Sequence, residues 1–182
     1  GFRWALLVHD VYPDNLVPAG LLVRSSWAYR LLSRYFDGVY RRAELIIVIG
    51  RDMQRTVAQK VGRGGRVVYI PNWVDEQDLA PTLRADSPIL NSLGWQDRVV
   101  FQFFGNLGRL QGIAHLLQAI QQVTHPRAAF LFIGSGVMAD KVKQFTMAHA
   151  RNNVVYWGPL EQRHKSQGLA ACDVALITLA RG

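Results

Sequence analysis

Short apolar runs rich in β-branched and aromatic residues alternate with stretches of helical period along nearly the whole chain, and this alternation limits the possible fold more than any other feature. The runs Trp4 to Val8, Glu44 to Ile49, Arg66 to Ile70, Arg98 to Phe104, Ala128 to Ile133, Asn153 to Trp157 and Asp173 to Leu179 read as strands. Most are apolar almost throughout, not at every second residue, as in strands covered on both faces. Between them, Ser26 to Arg42, Arg51 to Val61, Gln111 to Val123, Val137 to Ala150 and Glu161 to Ala171 read as helices. In the third of these, Ile113, Leu116, Leu117 and Ile120 fall at i, i+3, i+4 and i+7. Repeated strand–helix–strand units predict parallel strands joined by right-handed helical crossovers, an α/β architecture.

The rhythm breaks once. From Asp75 to Asp97, Pro81, Pro88, four Asp and one Glu mix with few periodic apolar residues, with a short helix expected over Ser87 to Leu93. Such a stretch reads as a connection between two domains. The expected division is residues 1–75, a linker over 76–97 and a second domain over 98–182. The chain opens on Gly1 rather than Met and closes on Gly182 just behind an apolar strand, so both domains are expected to be incomplete, as in a fragment of a longer protein.

Composition narrows the class. With 182 residues, 49% of them hydrophobic, the chain can bury a sizeable core. Its one cysteine, Cys172, excludes an internal disulfide and is expected to be a small buried residue, which fits a reducing compartment. The five histidines are scattered, with no His/Cys grouping at metal-ligand spacing. No apolar run reaches the roughly 18 residues that span a bilayer, and no signal peptide is recognisable. The net charge is +8, and Arg24 to Arg66 holds ten basic residues against three acidic ones. That field suits phosphates, an anionic membrane surface or nucleic acid. Nucleic acid is the weaker reading, because most aromatics lie in strands and do not interleave with basic residues as stacking platforms.

Two stretches carry candidate chemistry. In the first, the strand ending at Phe104 runs into Gly105, Asn106, Leu107, Gly108, Arg109, Leu110, Gln111 and Gly112, and then into a helix. Glycines let the backbone turn sharply, the helix start offers free N–H groups, and Arg109 adds a positive charge: a diphosphate cradle, or else an ordinary strand-to-helix loop. In the second, the strand over Trp4 to Val8 delivers His9 and Asp10 at its C-terminal end, where open α/β sheets bind ligands. The pair would do acid/base or orienting work there, or simply solvate the strand end. The helix over Ser26 to Arg42 also reads two ways. Leu31, Leu32, Tyr35, Phe36, Val39 and Tyr40 form an apolar side expected to pack on a sheet. Arg30, Arg34 and Arg41, with Trp27 and Tyr29 nearby, suggest instead a helix on an anionic membrane. An NAD-type module is disfavoured: it needs Gly-x-Gly-x-x-Gly with an acidic residue about 20 positions on, and the turn here is Gly-x-x-Gly-x-x-x-Gly.

Five ordered segments resemble one family. They are Val68-Tyr69-Ile70-Pro71-Asn72-Trp73-Val74-Asp75, Phe103-Phe104-Gly105-Asn106-Leu107-Gly108-Arg109-Leu110-Gln111-Gly112, Phe132-Ile133-Gly134-Ser135-Gly136, Val155-Tyr156-Trp157-Gly158 and Ala171-Cys172-Asp173-Val174-Ala175-Leu176. Together they are similar to motifs of the retaining group 1 (family 4) glycosyltransferases of GT-B fold. Asp10 to Asp14 and the Asn-x-Gly-Arg form of the turn resemble the colanic-acid branch, which builds bacterial exopolysaccharide. The resemblance implies two Rossmann-like parallel-sheet domains, an acceptor domain first and a nucleotide-sugar donor domain second. It implies hexosyl transfer from a UDP- or GDP-sugar to an acceptor hydroxyl with retention, and no obligatory metal or cofactor. His9 with Asp10 would be catalytic. Gly105, Asn106, Gly108, Arg109, Gln111 and Gly112 would face the diphosphate, and Gly134, Gly136, Tyr156, Trp157 and Gly158 the base. The acceptor would be a saccharide or a lipid-phosphate-linked molecule. The basic region 24–66 would touch the inner face of the membrane from the cytoplasm. Many members carry Arg after the first glycine and Lys before the last, where this chain has Asn106 and Gln111, so Arg109 is expected to supply that charge. The family's paired glutamates would follow Leu179, so this stretch alone is expected to be inactive. A non-catalytic nucleotide-binding subunit and a nucleotide-sugar epimerase of related fold are the alternatives.

Overall fold

In the computed structural model, residues 3–62, 64–74, 82–148 and 153–179 are described. The chain divides into two compact units, with the break between Val74 and Asp75. The first contains β1 (Ala5–Val8), α1 (Trp27–Arg42), β2 (Leu45–Val48), α2 (Arg51–Val61) and β3 (Val67–Tyr69). Its strands pair in parallel in the order β1-β2-β3, with Ala5 opposite Leu45 and Ile46 opposite Val67. Ser26 caps α1: its hydroxyl accepts the Tyr29 N–H at 3.1 Å, satisfying a first-turn donor. Val8, Ile46 and Val48 from the strands meet Tyr40 of α1 and Val57 and Val61 of α2 in one core.

A charged network pins the loop that leaves β1. Lys60, near the end of α2 and 12% exposed, places Nζ 2.8 Å from Asp14 Oδ2 and 3.3 Å from Asp37 Oδ1 of α1. Asp14 Oδ1 accepts the Tyr29 hydroxyl at 2.8 Å, and Arg24 stands 3.2 Å from the same oxygen. The Tyr12 N–H donates to the Tyr40 hydroxyl at 3.0 Å. Burial works to raise the Asp14 pKa, but Lys60, Tyr29 and Arg24 outweigh it and hold the carboxyl below its ordinary value. The loop after β1 is thereby tied to both helices.

The second unit contains α3 (Pro88–Leu93), β4 (Val99–Phe104), α4 (Ile113–Gln121), β5 (Ala128–Ile133), α5 (Ala139–Ala148), β6 (Val154–Gly158), α6 (Lys165–Ala170) and β7 (Val174–Ala175). All four strands are parallel, in the order β6-β5-β4-β7. Phe103, Phe130 and Phe132 point to one face, against Leu117 and Ile120 of α4 and Val142 of α5. Val100, Ala129, Leu131 and Ile133 point to the other, against Ile89, Leu90, Trp95 and Ala171. Cover on both faces explains the unbroken apolar runs. Gln102 is a buried polar residue of β4, and its Nε2 donates to the Gly168 carbonyl at 2.8 Å.

Of the stretch expected as a linker, residues 75–81 lie outside the described residues, and residues 82–97 pack on the second unit. Ser87 caps α3, and Ile89, Leu90 and Trp95 enter the core. The short helix expected over Ser87 to Leu93 is present at Pro88–Leu93. Arg84 fastens this segment. Its Nε and Nη2 donate to Asp173 at 2.8 and 3.0 Å, and its Nη1 and Nη2 donate to the carbonyls of Gln96 and Arg98 at 2.8 and 2.7 Å. Asp173 also accepts the Val100 N–H at 2.8 Å. Burial works to raise the Asp173 pKa, but Arg84 and the Val100 N–H overcome it and lower it from the ordinary 3.8. A lowered folded-state pKa stabilises the fold above the unfolded value, and that contribution is lost as pH falls through the folded value. Asp173→Asn is therefore expected to cost about 1–2 kcal/mol at pH 7. Urea melts should show the gap to the parent narrowing below pH 3.8. A constant gap would mean that the carboxylate charge contributes nothing.

Three elements differ from expectation. The last strand was expected over Asp173 to Leu179, but β7 pairs at Val174 and Ala175 alone. Beyond the Leu176 N–H bond to the Gln102 carbonyl, the chain turns so that the Thr178 hydroxyl donates to the Gln111 carbonyl. The helix expected from Gln111 starts at Ile113, because Gly112 adopts a left-handed conformation (φ 58°) after a 3-10 turn over Arg109–Gln111. The helix expected over Val137 to Ala150 begins at Ala139, and its expected last two residues lie outside the described residues. Among the described residues, no helix is long and apolar enough to cross a membrane.

Candidate functional site

The glycine turn of the second unit is interlocked with the turn after β5. The Gly105 N–H donates to the Ile133 carbonyl at 2.9 Å, Leu107 N–H to Ser135 at 2.8 Å, and Met138 N–H to Leu107 at 2.9 Å. The two backbones approach so closely that side chains are excluded. A β-carbon on Gly134 would lie 1.9 Å from the Gly105 carbonyl oxygen, and one on Gly136 would lie 2.6 Å from Asn106 Oδ1 and the Leu107 oxygen. Gly134 and Gly136, expected at the base, thus have a packing reason to be glycine. Asn106 and Gln111 converge on Gly108: its β-carbon would stand 2.5 Å from Gln111 Oε1 and 3.1 Å from Asn106 Nδ2.

The six residues expected at the diphosphate come together at the C-terminal end of β4 and the head of α4. The first N–H groups of α4, at Ile113, Ala114 and His115, have no intrahelical acceptor and mark the positive pole of the helix. Arg109 is exposed at this end, whereas Gly108 and Gly112 are buried. β4 has β5 on one side and β7 on the other, so the turn sits at the switch point of the sheet, where α/β folds open a crevice. Preformed N–H donors, a helix pole and a guanidinium can hold a diphosphate and stabilise charge that builds on it.

The expected base residues divide. Gly134, Gly136, Tyr156 and Gly158 gather at the ends of β5 and β6: Gly134 N–H donates to the Gly158 carbonyl, and the Tyr156 hydroxyl to the Gly134 carbonyl, each at 2.9 Å. Trp157 stands apart from them: the β5–β6 register passes from Phe132 opposite Tyr156 to Ile133 opposite Gly158, which leaves Trp157 as the extra residue of a bulge. It lines a pocket of about 420 Å³ with Ile89, Ser92, Leu160, His164 and Gln167. Thr178, whose hydroxyl closes on the turn at Gln111, was not singled out from the sequence; its signal is a lone polar side chain within the last apolar run.

In the first unit, His9 and Asp10 are exposed just past β1 and border a pocket of about 310 Å³ with Tyr12, Phe36, Val39 and Tyr40. The pinned loop that follows fixes the backbone carrying them. Among the described residues, no group of three or more His, Cys, Asp or Glu side chains is placed to hold a metal ion.

Two parallel-sheet α/β units, the second with interlocked glycine turns at the head of a helix, match part of the GT-B architecture, and the chain is homologous to glycosyltransferases. It is 50% identical over 182 residues to the probable glycosyltransferase WbjE of Pseudomonas aeruginosa. It is 21% identical over 187 residues to the putative colanic acid biosynthesis glycosyl transferase WcaI of Escherichia coli K12. All of this chain is matched in both cases, and it spans 46% of each relative, just under half. Among solved structures it is similar to Anabaena HepE in complex with UDP and glucose, with a TM-score of 0.72 at 22% identity over 97% of this chain and 46% of that one. No family model matches the chain.

Proposed function

We propose that the protein carrying this chain transfers a hexose from a nucleotide diphosphate sugar to an acceptor hydroxyl, with retention, in the synthesis of bacterial exopolysaccharide or another cell-envelope glycan. The observation that carries the reading is the interlocked turn from Gly105 to Gly112 at the head of α4, in a chain half identical to a probable glycosyltransferase. Residues up to Val74 serve as part of the acceptor domain, and those from Asp75 as part of the donor domain. The turn and the α4 N-terminus hold the diphosphate, and Arg109 stabilises the negative charge that leaving-group departure builds on it. Gly134, Gly136, Tyr156 and Gly158 shape the base end, and His9 and Asp10 act at the transferred sugar. UDP is the favoured nucleotide because HepE is seen with UDP and with UDP-glucose. The acceptor is a saccharide or a lipid-phosphate-linked molecule at the membrane.

The test is a calorimetric titration of the full-length protein and its Arg109→Ala variant with UDP, GDP, ADP and NAD. One nucleoside diphosphate should bind, and the variant should lose about tenfold in affinity, the worth of a charge-assisted contact. Unchanged affinity in the variant would remove Arg109 from the site. Binding of NAD alone would make the turn a dinucleotide site and overturn the proposal.

A further inference from the structure

The stretch that follows β7 leaves the sheet early and turns toward the head of α4. β7 pairs with β4 at Val174 and Ala175, and the Leu176 N–H still reaches the Gln102 carbonyl at 2.7 Å. Leu176 packs against the sheet face that carries Phe103, the face α4 covers. Thr178, two residues on and half-buried, donates its hydroxyl to the Gln111 carbonyl, 67 positions back in the chain. That carbonyl lies outside the ladder of α4, which begins at the Gly112 carbonyl, taken by the Leu116 N–H at 3.1 Å. The 3-10 turn over Arg109–Gln111 is weakly held from within. Its Gln111 N–H stands 3.4 Å from the Gly108 carbonyl, beyond the roughly 3.2 Å that ordinary amide bonds reach. Arg109 opens this turn, and among the described residues no side chain pairs with its guanidinium, so the backbone of the turn sets where it stands.

The two loops that meet at this bond flank the switch point of the sheet: β4 and β7 are neighbours, and the chain leaves the C-terminal end of each. We propose that Thr178 is a positioning residue for the diphosphate. Its hydroxyl ties the exit of β7 to the turn after β4 and holds Arg109 where it meets the ligand. A neutral hydroxyl adds no charge for an anion; what it adds is order. A turn that must be ordered during binding loses that cost from the affinity, and a turn already held does not. Thr178 acts through the turn, so its effect belongs to Arg109 and disappears with it. If Thr178 only steadied the fold, its loss would lower stability and leave the contribution of Arg109 unchanged. The inference rests on the reading of Gly105 to Gly112 as a diphosphate site.

Calorimetric titration of the full-length protein with UDP and with GDP tests it, in the parent, Thr178→Val, Thr178→Ser, Arg109→Ala and the double variant Thr178→Val with Arg109→Ala. Valine keeps the shape of the side chain and removes the hydroxyl. Thr178→Val should lose about three- to tenfold in affinity, the worth of one neutral hydrogen bond. Thr178→Ser, which keeps the hydroxyl, should regain most of it. In the Arg109→Ala background the same valine should cost less than about twofold, because the two residues act as one unit. Hydrogen exchange without nucleotide should show the amides of residues 109–115 opening sooner in Thr178→Val than in Thr178→Ser. The proposal fails if valine binds as tightly as the parent, if serine does not restore affinity, if exchange is the same in the two variants, or if the losses from Thr178→Val and Arg109→Ala multiply as for independent sites. It also fails if Arg109→Ala costs nothing, since no guanidinium is then being placed. If one nucleotide binds the parent and Thr178→Val equally, the role of Thr178 is lost and the diphosphate site stands. If neither nucleotide binds the parent, the site itself is overturned and this proposal with it.

Discussion

Gly134→Ala is expected to destabilise the second unit by about 3 kcal/mol or more and to abolish nucleotide binding where the unit still folds. The added methyl would stand 1.9 Å from the Gly105 carbonyl oxygen, and that obstacle is backbone, not the movable end of a side chain. The position also has φ of 136°, which an L side chain rarely adopts. Relief requires the turn after β4 to move away from the turn after β5, which breaks the Leu107–Ser135 and Met138–Leu107 bonds. Gly62→Ala is the control. Its φ is also positive, at 73°, but nothing lies within 4 Å of its added carbon, so it carries the conformational cost without the collision. Urea unfolding of both variants measures the difference. Equal losses would show that the two turns are not locked by close approach.

Lys60→Met should cost about 2–4 kcal/mol, because it leaves two carboxylates facing each other at a largely buried site. Asp14 and Asp37 both pair with this one ammonium, and Lys60 is 12% exposed. Adding Asp37→Asn to the variant should recover part of the loss, since Asp14 keeps Arg24 and Tyr29 whereas Asp37 loses the ammonium it pairs with. Burial works to lower the Lys60 pKa, but Asp14 and Asp37 outweigh it and raise it from the ordinary 10.5. A raised folded-state pKa gives stability that is fully present below the unfolded value and is lost as pH rises through the folded one. The gap between parent and Lys60→Met should therefore hold from neutral pH to about 10 and shrink only above it. A second change of slope in acid comes from Asp14, whose lowered pKa gives stability that is lost as pH falls below 3.8. Hydrogen exchange should also show residues 9–26 opening sooner in Lys60→Met. Unchanged protection there would separate the network from the loop that carries His9 and Asp10.

The strands and helices were legible because their signals are local. Ala128 to Ile133 is apolar at six consecutive positions, since β5 is covered on both faces, and the structure returns it with the same limits. What was not legible depends on partners far away in sequence. Gly134 and Gly136 were read by their motif as base contacts, and the motif does not show that their missing side chains make room for Gly105 to Leu107. Lys60 looks like any solvated helix lysine until the fold carries Asp14 and Asp37 to it.

The Arg84–Asp173 pairing also bears on how the protein is made. These residues stand 89 positions apart in the chain. On the ribosome, Arg84 emerges while its partner is not yet synthesised, and the segment from Arg84 to Arg98 gains this anchor only after β4, β5 and β6 have formed and Asp173 has followed them out. A segment fastened to a residue so far along the chain closes late, because contacts of large sequence separation carry a loop-closure cost before they return any stability. Every shortened chain that ends before Asp173 leaves the Arg84 guanidinium without its carboxylate, so the segment from Arg84 to Arg98 should gain its resistance to proteolysis only once synthesis has passed that residue.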